Sequence, residues 1–343
     1  MIDDKTTDLY CKESNRRFYV TFFISVLLLL VSMLFAFSFG AKSLPLETVW
    51  NALWKGSQDN IDYQVLQFVR FPRVLAAALV GAAFAVAGAL MQGVTRNPLA
   101  DVGVLGINAG AAFVVALTFV FFPQLPFSAL MVLSFLGAAC TTMLIFLLGM
   151  NSPGGLTPIK LTLAGTVIAS MLHSLTSGIA IYFELSQDLA FWYAGGVAGV
   201  EWAQLLLIAP ILLIVLMFSM LLGKPLSLMA MGEEIATNLG LNTKRIRLLA
   251  VLCALLLAGV SVSAVGSIAF VGLVIPHISR KLVGVDYRFV LPMSAVLGAF
   301  LLVVADLVAR TIDPPKEFAI GVIVAMIGVP FFLFIARREK RRL

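Results

Sequence analysis

The segment that decides the fold is residues 70–92, with the sequence RFPRVLAAALVGAAFAVAGALMQ. It is apolar over a length sufficient to cross a bilayer as a helix. Gly81, Ala85 and Ala89 recur at every fourth position, with Gly88 beside them, and so share one face of that helix. Small residues on one face allow a neighbouring backbone to approach closely. We therefore expect a spanning helix that packs tightly against others.

The composition of the whole chain indicates a polytopic membrane protein. Of its 343 residues, 61% are hydrophobic and 12% are charged, whereas soluble domains carry about 25% charged residues. The net charge of +6 does not indicate a nucleic-acid partner, because the basic residues lie at the ends of apolar runs, as membrane topology requires. Three cysteines lie far apart in sequence and predict neither a disulfide framework nor a metal-ligand pair.

Ten apolar runs predict an all-α polytopic membrane protein with ten transmembrane helices. A tail at residues 1–17 precedes them, the membrane domain occupies residues 18–336, and a basic tail follows at 337–343. The eighth run is short, and we expect Pro276 to break it. The runs are residues 18–39, 70–92, 104–122, 127–150, 161–183, 202–222, 246–264, 272–282, 289–308 and 318–336.

The distribution of basic residues sets the orientation. Cytoplasmic loops of membrane proteins carry an excess of Lys and Arg. Placing both termini in the cytoplasm leaves only six of the 24 Lys and Arg residues on the outer side. We therefore predict cytoplasmic N- and C-termini. The six outer residues are Lys42, Lys55, Arg70, Arg73, Arg310 and Lys316.

The sequence predicts no catalytic, metal or ATP site. It contains no G-x-x-x-x-G-K-[ST] motif for a P-loop. A lone histidine within a span, such as His173, is more often a packed polar residue than a ligand. Asp306 and Glu184 fall near the outer ends of spans, where we expect snorkelling or helix-end pairing. An enzyme needs convergent catalytic groups, and the pattern favours a passive conduit.

One polar segment interrupts the apolar sequence at residues 224–247, KPLSLMAMGEEIATNLGLNTKRIR. Gly232, Glu233 and Glu234 begin a short helix there, with the acids in its first turn, and Gly240 ends it. Asn242 is placed to cap the next helix. Such a segment is either a solvated connector or a helix that docks into a groove on another protein. Its apolar stripe consists of Ile235, Ala236 and Leu239.

Long stretches of the chain resemble the permeases of bacterial ABC importers for iron-siderophores, haem and cobalamin, the FecCD family. Residues 70–113 carry the first matching block. Two further blocks are residues 266–284, GSIAFVGLVIPHISRKLVG, and 314–334, PPKEFAIGVIVAMIGVPFFLF. Residues 231–241, MGEEIATNLGL, resemble the family's coupling loop. The similarity extends over about residues 18–336 in the family order.

The resemblance implies a set of partners in the bacterial cytoplasmic membrane. These are a second permease subunit, identical or related, a cytosolic ABC ATPase dimer, an extracytoplasmic substrate-binding protein and the surrounding lipid. The chain itself is expected to bind no cofactor, since ATP is used by the partner subunits. Substrate is expected to pass between the two permeases. The coupling loop at 224–247 is expected to contact the ATPase through Gly232, Glu233, Glu234, Ala236, Leu239 and Gly240.

Three outer arginines have a second implied role. In the cobalamin-type relatives, arginines at the positions of Arg70, Arg73 and Arg310 receive glutamates of the binding protein, which predicts a docking site for that protein. Arginine pairs bidentately with carboxylates, which suits this role. The alternative is that all three anchor helix ends by reaching lipid headgroups.

Several functions stay open at this point. An iron(III)-siderophore is the expected substrate because many such systems import iron, and haem or cobalamin are the alternatives within the family. An ion-coupled secondary transporter is a different class, and it would need an ionisable site near the bilayer midplane. A membrane-embedded assembly subunit is a third class.

Overall fold

The structure is a computed structural model that describes residues 4–40, 42–54, 61–150, 158–314 and 316–339. The polar loop predicted at residues 151–155 and most of the basic C-terminal tail lie outside the described residues.

The described chain is helical. A π-helix, Val65–Arg70, joins α3 to α4, and a 3-10 helix, Val102–Leu105, precedes α5. The α-helices are α1 Asp4–Ser38, α2 Leu46–Trp54, α3 Ile61–Gln64, α4 Phe71–Thr95, α5 Ile107–Phe121, α6 Phe127–Met150, α7 Pro158–Tyr182, α8 Ser186–Ala194, α9 Trp202–Leu221, α10 Gly223–Met231, α11 Glu233–Asn238, α12 Thr243–Val265, α13 Val271–Val283, α14 Tyr287–Thr311 and α15 Ile320–Glu339.

The prediction of an all-helical polytopic membrane protein is confirmed. Among the described residues, seven helices are long and apolar enough to cross a membrane, and two shorter apolar helices lie at Ile107–Phe121 and Ile320–Phe334. α13, the predicted eighth pass, has 13 residues. The finer count of ten passes stays a prediction. α1 begins at Asp4, so the helix continues through the polar tail that the sequence separated from the membrane domain.

α4 is the central helix, as its small residues indicated. Most of its residues are buried. A Cβ added at Gly81 would lie 2.2 Å from the carbonyl oxygen of Gly298 in α14, and one added at Gly88 would lie 2.0 Å from that of Gly272 in α13. No side chain fits at these distances, so the backbones touch only because both helices carry glycine. The predicted close approach is confirmed.

The predicted break at Pro276 is wrong. α13 continues through Pro276, although proline lacks the N–H that would bond to the carbonyl four residues earlier. That carbonyl belongs to Gly272, and it accepts a hydrogen bond from Gln92 Nε2 of α4 at 3.1 Å. A buried carbonyl requires a partner. The side chain from α4 supplies it, so the short helix stays intact.

Candidate functional site

The outer arginines form a buried ionic cluster at one end of the bundle. Arg73, at the start of α4, donates from Nε to Asp306 Oδ1 at 2.8 Å and from Nη1 to Glu317 Oε1 at 2.9 Å. Arg310 Nε lies 3.2 Å from Asp306 Oδ2, one helical turn away along α14. Asp306 is fully buried and is shared by two guanidinium groups. This cluster therefore joins α4, α14 and the segment that leads into α15.

Two of the arginines also complete the end of α1. Arg310 Nη2 donates to the carbonyl of Ala36 at 2.9 Å. Arg70 Nη1 donates to the carbonyls of Phe37 and Ser38 at 2.6 and 2.9 Å, and its Nη2 donates to the carbonyl of Lys42. The last carbonyls of a helix lack partners within the helix and carry partial negative charge. The guanidinium groups therefore cap α1 with complementary charge.

The three arginines are brought together, as the docking hypothesis requires, but they face inward. Their exposed fractions are only 4–5%. They neither reach outward as lipid anchors would nor line an open mouth. Of the two expectations for Asp306, pairing at the helix end is confirmed and snorkelling is not, because this carboxylate is paired inside the protein with Arg310 and Arg73. The docking role itself stays a prediction.

The sequence reasoning missed Asp306 and Glu317 as partners of the arginines. One signal was present, since Asp306 and Arg310 stand four residues apart in an apolar helix, a spacing that places opposite charges side by side. Nothing local pointed to Arg73, which is 233 residues from Asp306. A π-helix of six residues, Val65–Arg70, leads into α4. Such segments are frequent at functional sites.

A second feature is a polar face on the spanning helix α7. Thr166, Ser170, His173 and Ser177 are exposed. At about 100° per residue they fall within roughly one sixth of the helix circumference, and Ser174 adjoins them. Tyr193 of α8 lies beside this face, with its hydroxyl 3.5 Å from His173 Nδ1. His173 is therefore an exposed residue of this face, and not a packed one as the sequence suggested.

The neighbouring helix α6 shows what a lipid-facing surface looks like in this chain. Its exposed side chains include Val132, Leu136, Met143 and Leu147. Lipid tails give polar groups no partners, so exposed positions on a lipid-facing helix are apolar. α7 departs from that rule on one side between Thr166 and Ser177, while Val167 and Met171 expose apolar side chains beside this face. Its polar face is therefore suited to water or to another subunit.

The predicted helix in the polar segment is confirmed as α11. Glu233 and Glu234 lie in its first turn. Gly240 has φ +81°, its N–H bonds to the carbonyl of Thr237, and the N–H of Leu241 bonds to that of Ala236. This pair of bonds satisfies the last carbonyls of the helix and requires a left-handed residue. The Asn242 cap of α12 is confirmed by its bond from the Arg245 amide at 3.1 Å.

The apolar stripe of α11 divides into an outward and an inward part. Met231, Ile235 and Leu239 have exposed fractions of 67, 46 and 62%, and they follow one another at four-residue spacing. Ala236 is completely buried, because one step along a helix turns the side chain by about 100°. Ala236 therefore packs against its own subunit, and the outward apolar surface of the segment consists of Met231 at the end of α10, Ile235 in α11 and Leu239 just after α11.

Polar contacts tie this segment to two long helices. Arg247 Nη2 of α12 lies 3.3 Å from both carboxylate oxygens of Glu233, and Thr243 Oγ1 donates to Oε1 at 3.3 Å. In α10, Ser227 Oγ donates to Asp286 Oδ1 at 2.8 Å and accepts from the amide of Tyr287. Asp286 Oδ1 also accepts from the amide of Arg288 at 2.9 Å and so caps α14. Burial alone would raise the pKa of this carboxyl, but the bonds from Arg288 and Ser227 hold the pKa below its usual value.

Nothing in the described part of the chain suggests a resident metal. Within those residues, no three His, Cys, Asp or Glu side chains come together as a metal site would need.

Comparisons with known proteins agree with this architecture. The family model of the FecCD transport family matches residues 28–338. The iron(3+)-hydroxamate import system permease protein FhuB of Bacillus subtilis is 46% identical over 318 residues, covering 92% of this chain and 82% of that protein. The hemin transport system permease protein HmuU of Yersinia pestis is 36% identical over 324 residues, covering 92% and 95%.

A solved structure has the same fold. It is described as an inward-facing conformation of a metal-chelate type ABC transporter, and it superposes with a TM-score of 0.82 at 29% identity, covering 93% of this chain and 99% of that one. The family model spans most of the chain, and the relatives align over nearly all of it. The resemblance seen in the sequence is therefore confirmed. The prediction that the chain is a multi-pass membrane transport protein and not an enzyme is confirmed as well. This chain belongs to the FecCD transport family.

Proposed function

We propose that this chain is the transmembrane subunit through which an iron(III)-siderophore complex crosses the bacterial cytoplasmic membrane. Family membership makes it a transport permease. The substrate is supported by the 46% identity to an iron(3+)-hydroxamate permease, against 36% to a hemin permease. Haem and cobalamin are the alternative substrates within the family.

The observation that carries the transport function is the polar face of α7. A helix that spans a bilayer with Ser170, His173 and Ser177 exposed cannot turn that side to lipid without leaving the face poorly solvated. Siderophore complexes carry many oxygen atoms that need hydrogen-bond donors or water. Serine and threonine hydroxyl groups can donate such bonds and can also bind water. The face therefore forms one wall of a water-filled path, and a second permease subunit, identical or related, provides the opposite wall.

The remaining machinery belongs to partners. A cytosolic ABC ATPase dimer uses ATP and contacts the segment around α11 through Met231, Ile235 and Leu239. An extracytoplasmic substrate-binding protein delivers the cargo to the end of the bundle that carries Arg70, Arg73 and Arg310. In this arrangement the chain makes ten passes, with α5, α13 and α15 as the shorter ones, and both termini lie in the cytoplasm.

Radio-iron uptake tests the path and the substrate together. A strain that lacks the permease is complemented with wild type, Ser170→Phe or Leu136→Phe, and is offered ferric hydroxamates, ferric catecholates, ferric citrate and haem. Ser170→Phe should reduce uptake strongly because it fills the proposed path. Leu136→Phe, which places the same aromatic side chain on the exposed face of α6, should transport normally. Normal uptake by both variants would place the path elsewhere. Uptake of haem alone would show that haem, and not an iron(III)-siderophore, is the substrate.

Thiol accessibility gives a second measure of the path. Cysteine placed at Ser170 or Ser177 should react with a charged, water-soluble thiol reagent, since the thiolate is the reactive form. Natural Cys140 is the matched control, because it is exposed on α6 but should face lipid. If Cys140 reacts as fast as the two new cysteines, the polar face of α7 is no more accessible to water than the exposed surface of α6.

The secondary-transporter hypothesis has its own test. The purified chain is reconstituted in liposomes with an imposed ion gradient and without ATPase subunits. Accumulation of ferric siderophore under those conditions would contradict the importer proposal.

A further inference from the structure

The two carboxylates that bind Arg73 differ sharply in their surroundings. Asp306 has no exposed side-chain surface, whereas the Glu317 side chain is 39% exposed. Both lie within 3 Å of the same guanidinium, on Nε and on Nη1. One partner is thus enclosed by protein, and the other lies at the boundary with solvent.

Asp306 cannot leave this arrangement. It is the carboxylate shared by Arg73 and Arg310, whose side chains are 6 and 4% exposed. Removing it would leave the buried Arg310 without a paired carboxylate and Arg73 with only the half-exposed Glu317, which is strongly unfavourable. Asp306 is therefore a permanent part of the cluster.

Glu317 can leave at little cost. It lies outside helices, in the segment between α14 and α15. The neighbouring residue Phe318 is fixed by a bond from its amide to the carbonyl of Ala309 at 3.1 Å. The backbone is therefore held while the glutamate side chain is free to turn outward. Ion pairs that are open to water contribute little stability, since the separated charges are well solvated.

The departure of Glu317 would change the charge of the cluster. Three guanidiniums facing two carboxylates leave one formal positive charge, and loss of Glu317 leaves two. It would also expose Nη1 of Arg73, a donor whose geometry suits a carboxylate. The opened cluster is a site for an anionic group that approaches from the outer side.

We propose that Glu317 is an internal placeholder, whose carboxylate occupies on Arg73 the position that a carboxylate of the substrate-binding protein takes on docking. The proposal rests on the docking role proposed above for the outer arginines. It explains how buried arginines can serve a docking surface, because the undocked permease offsets part of their charge with Glu317 and the arriving carboxylate exchanges with that residue. Docking and the internal ion pair therefore exclude each other.

The test measures docking affinity with and without the placeholder. The permease assembled with its ATPase is placed in phosphatidylcholine nanodiscs, and the probe is the fluorescently labelled binding protein that supports uptake through this permease. Glu317→Gln should tighten docking about two- to fivefold, the gain expected from removing a competing exposed ion pair. Asp188→Asn is the control, since it removes an exposed carboxylate of α8 that lies outside the cluster, and it should change affinity less.

Arg73→Glu, alone and combined with Glu317→Gln, separates the two proposals. If Arg73→Glu weakens docking, and if Glu317→Gln no longer tightens docking in the double variant, both the docking site and the placeholder are supported. If Arg73→Glu weakens docking while Glu317→Gln leaves it unchanged or weaker, the placeholder is overturned and the docking site survives. If Arg73→Glu has no effect on affinity, the docking proposal itself fails.

Two other results would also overturn the placeholder. Failure of Glu317→Gln to assemble with the ATPase, judged by size-exclusion chromatography, would make Glu317 a structural brace. The second result is that a lipid phosphate, and not the binding protein, takes the position of Glu317 on Arg73. In that case Glu317→Gln would retain more phosphatidylglycerol than wild type in native mass spectrometry, and its docking affinity would be unchanged.

Discussion

The outer cluster and the coupling segment are both proposed to contact partner proteins, but they present themselves in opposite ways. The cluster keeps its arginines buried, and Asp306 and Glu317 offset two of their three charges. The coupling segment, which is the proposed coupling loop at residues 224–247, exposes Met231, Ile235 and Leu239. An exposed apolar row suits a partner that stays bound, whereas a covered ionic site suits a partner that comes and goes. α14 connects the two regions, since Asp286 caps its start and Arg310 lies in its last turn.

The largest effect should come from removing the buried carboxylate of the cluster. Asp306→Asn leaves Arg310 without a paired carboxylate and Arg73 with Glu317 alone, and we expect a loss of about 3–5 kcal/mol in the free energy of unfolding. Glu317→Gln, on the exposed arm of the same cluster, should cost less than about 1 kcal/mol. Thermal unfolding of the purified transporter measures both. Equal unfolding temperatures for the two variants would contradict the division between a fixed and an exchangeable carboxylate.

In the coupling segment, the outward and inward faces should respond differently to the same substitution. Leu239→Asp should leave unfolding unchanged and weaken ATPase binding by about tenfold or more, as loss of a central apolar contact does. Ala236→Asp is the matched control. It buries an unpaired charge, so it should destabilise the permease before any partner binds. ATPase pull-down and thermal unfolding separate the cases. Wild-type ATPase binding by Leu239→Asp would make the segment a solvated connector.

The end of α11 depends on a left-handed residue. Gly240 has φ +81° and a Cβ there would meet nothing within 4 Å, so the only obstacle to Gly240→Val is the backbone. We expect a cost on the order of 1–2 kcal/mol and reduced transport with normal membrane insertion. Gly240→Asn should be milder because asparagine tolerates this conformation. Equal effects of the two substitutions would show that strain is not the cause.

The cap that joins the coupling segment to α14 should be sensitive to pH. Asp286→Ala removes the cap and the bond from Ser227, with an expected cost of about 1 kcal/mol. The pKa of Asp286 is lowered in the folded protein, so its contribution is present above the unfolded-state pKa and is lost as pH falls through the folded-state value. The stability difference between wild type and Asp286→Ala should therefore shrink in acid. A difference that is constant with pH would contradict this role.

The smallest effect on stability should come from the ion pair between α11 and α12. Glu233→Gln should cost less than about 1 kcal/mol, since this pair is half-exposed. If the pair transmits ATPase movement to α12, the variant should transport less iron per ATP hydrolysed. The exchange Glu233→Arg with Arg247→Glu should restore part of that ratio. If Glu233→Gln transports as much iron per ATP hydrolysed as wild type, the ion pair serves only local packing and does not transmit ATPase movement.

The success of the sequence reasoning varied with the range of the interaction involved. The all-helical class, the close packing at Gly81, the stop at Gly240 and the cap at Asn242 follow from composition and from neighbours within a few residues. The error at Pro276 has the opposite origin, because the lost bond is replaced by Gln92, which lies in another helix. The inward direction of Ala236 likewise depends on which side of α11 the subunit occupies.

The sequence by itself determined that this chain crosses a membrane as helices, which polar segment interrupts them, and which family it belongs to. Apolar length and residue spacing decide those properties, since the bilayer requires every span to satisfy its own backbone. Only the tertiary structure decided that the three outer arginines are buried and paired. Their partners are Asp306, Glu317 and the last carbonyls of α1. These groups come from distant parts of the chain and meet only when α1, α4 and α14 pack together.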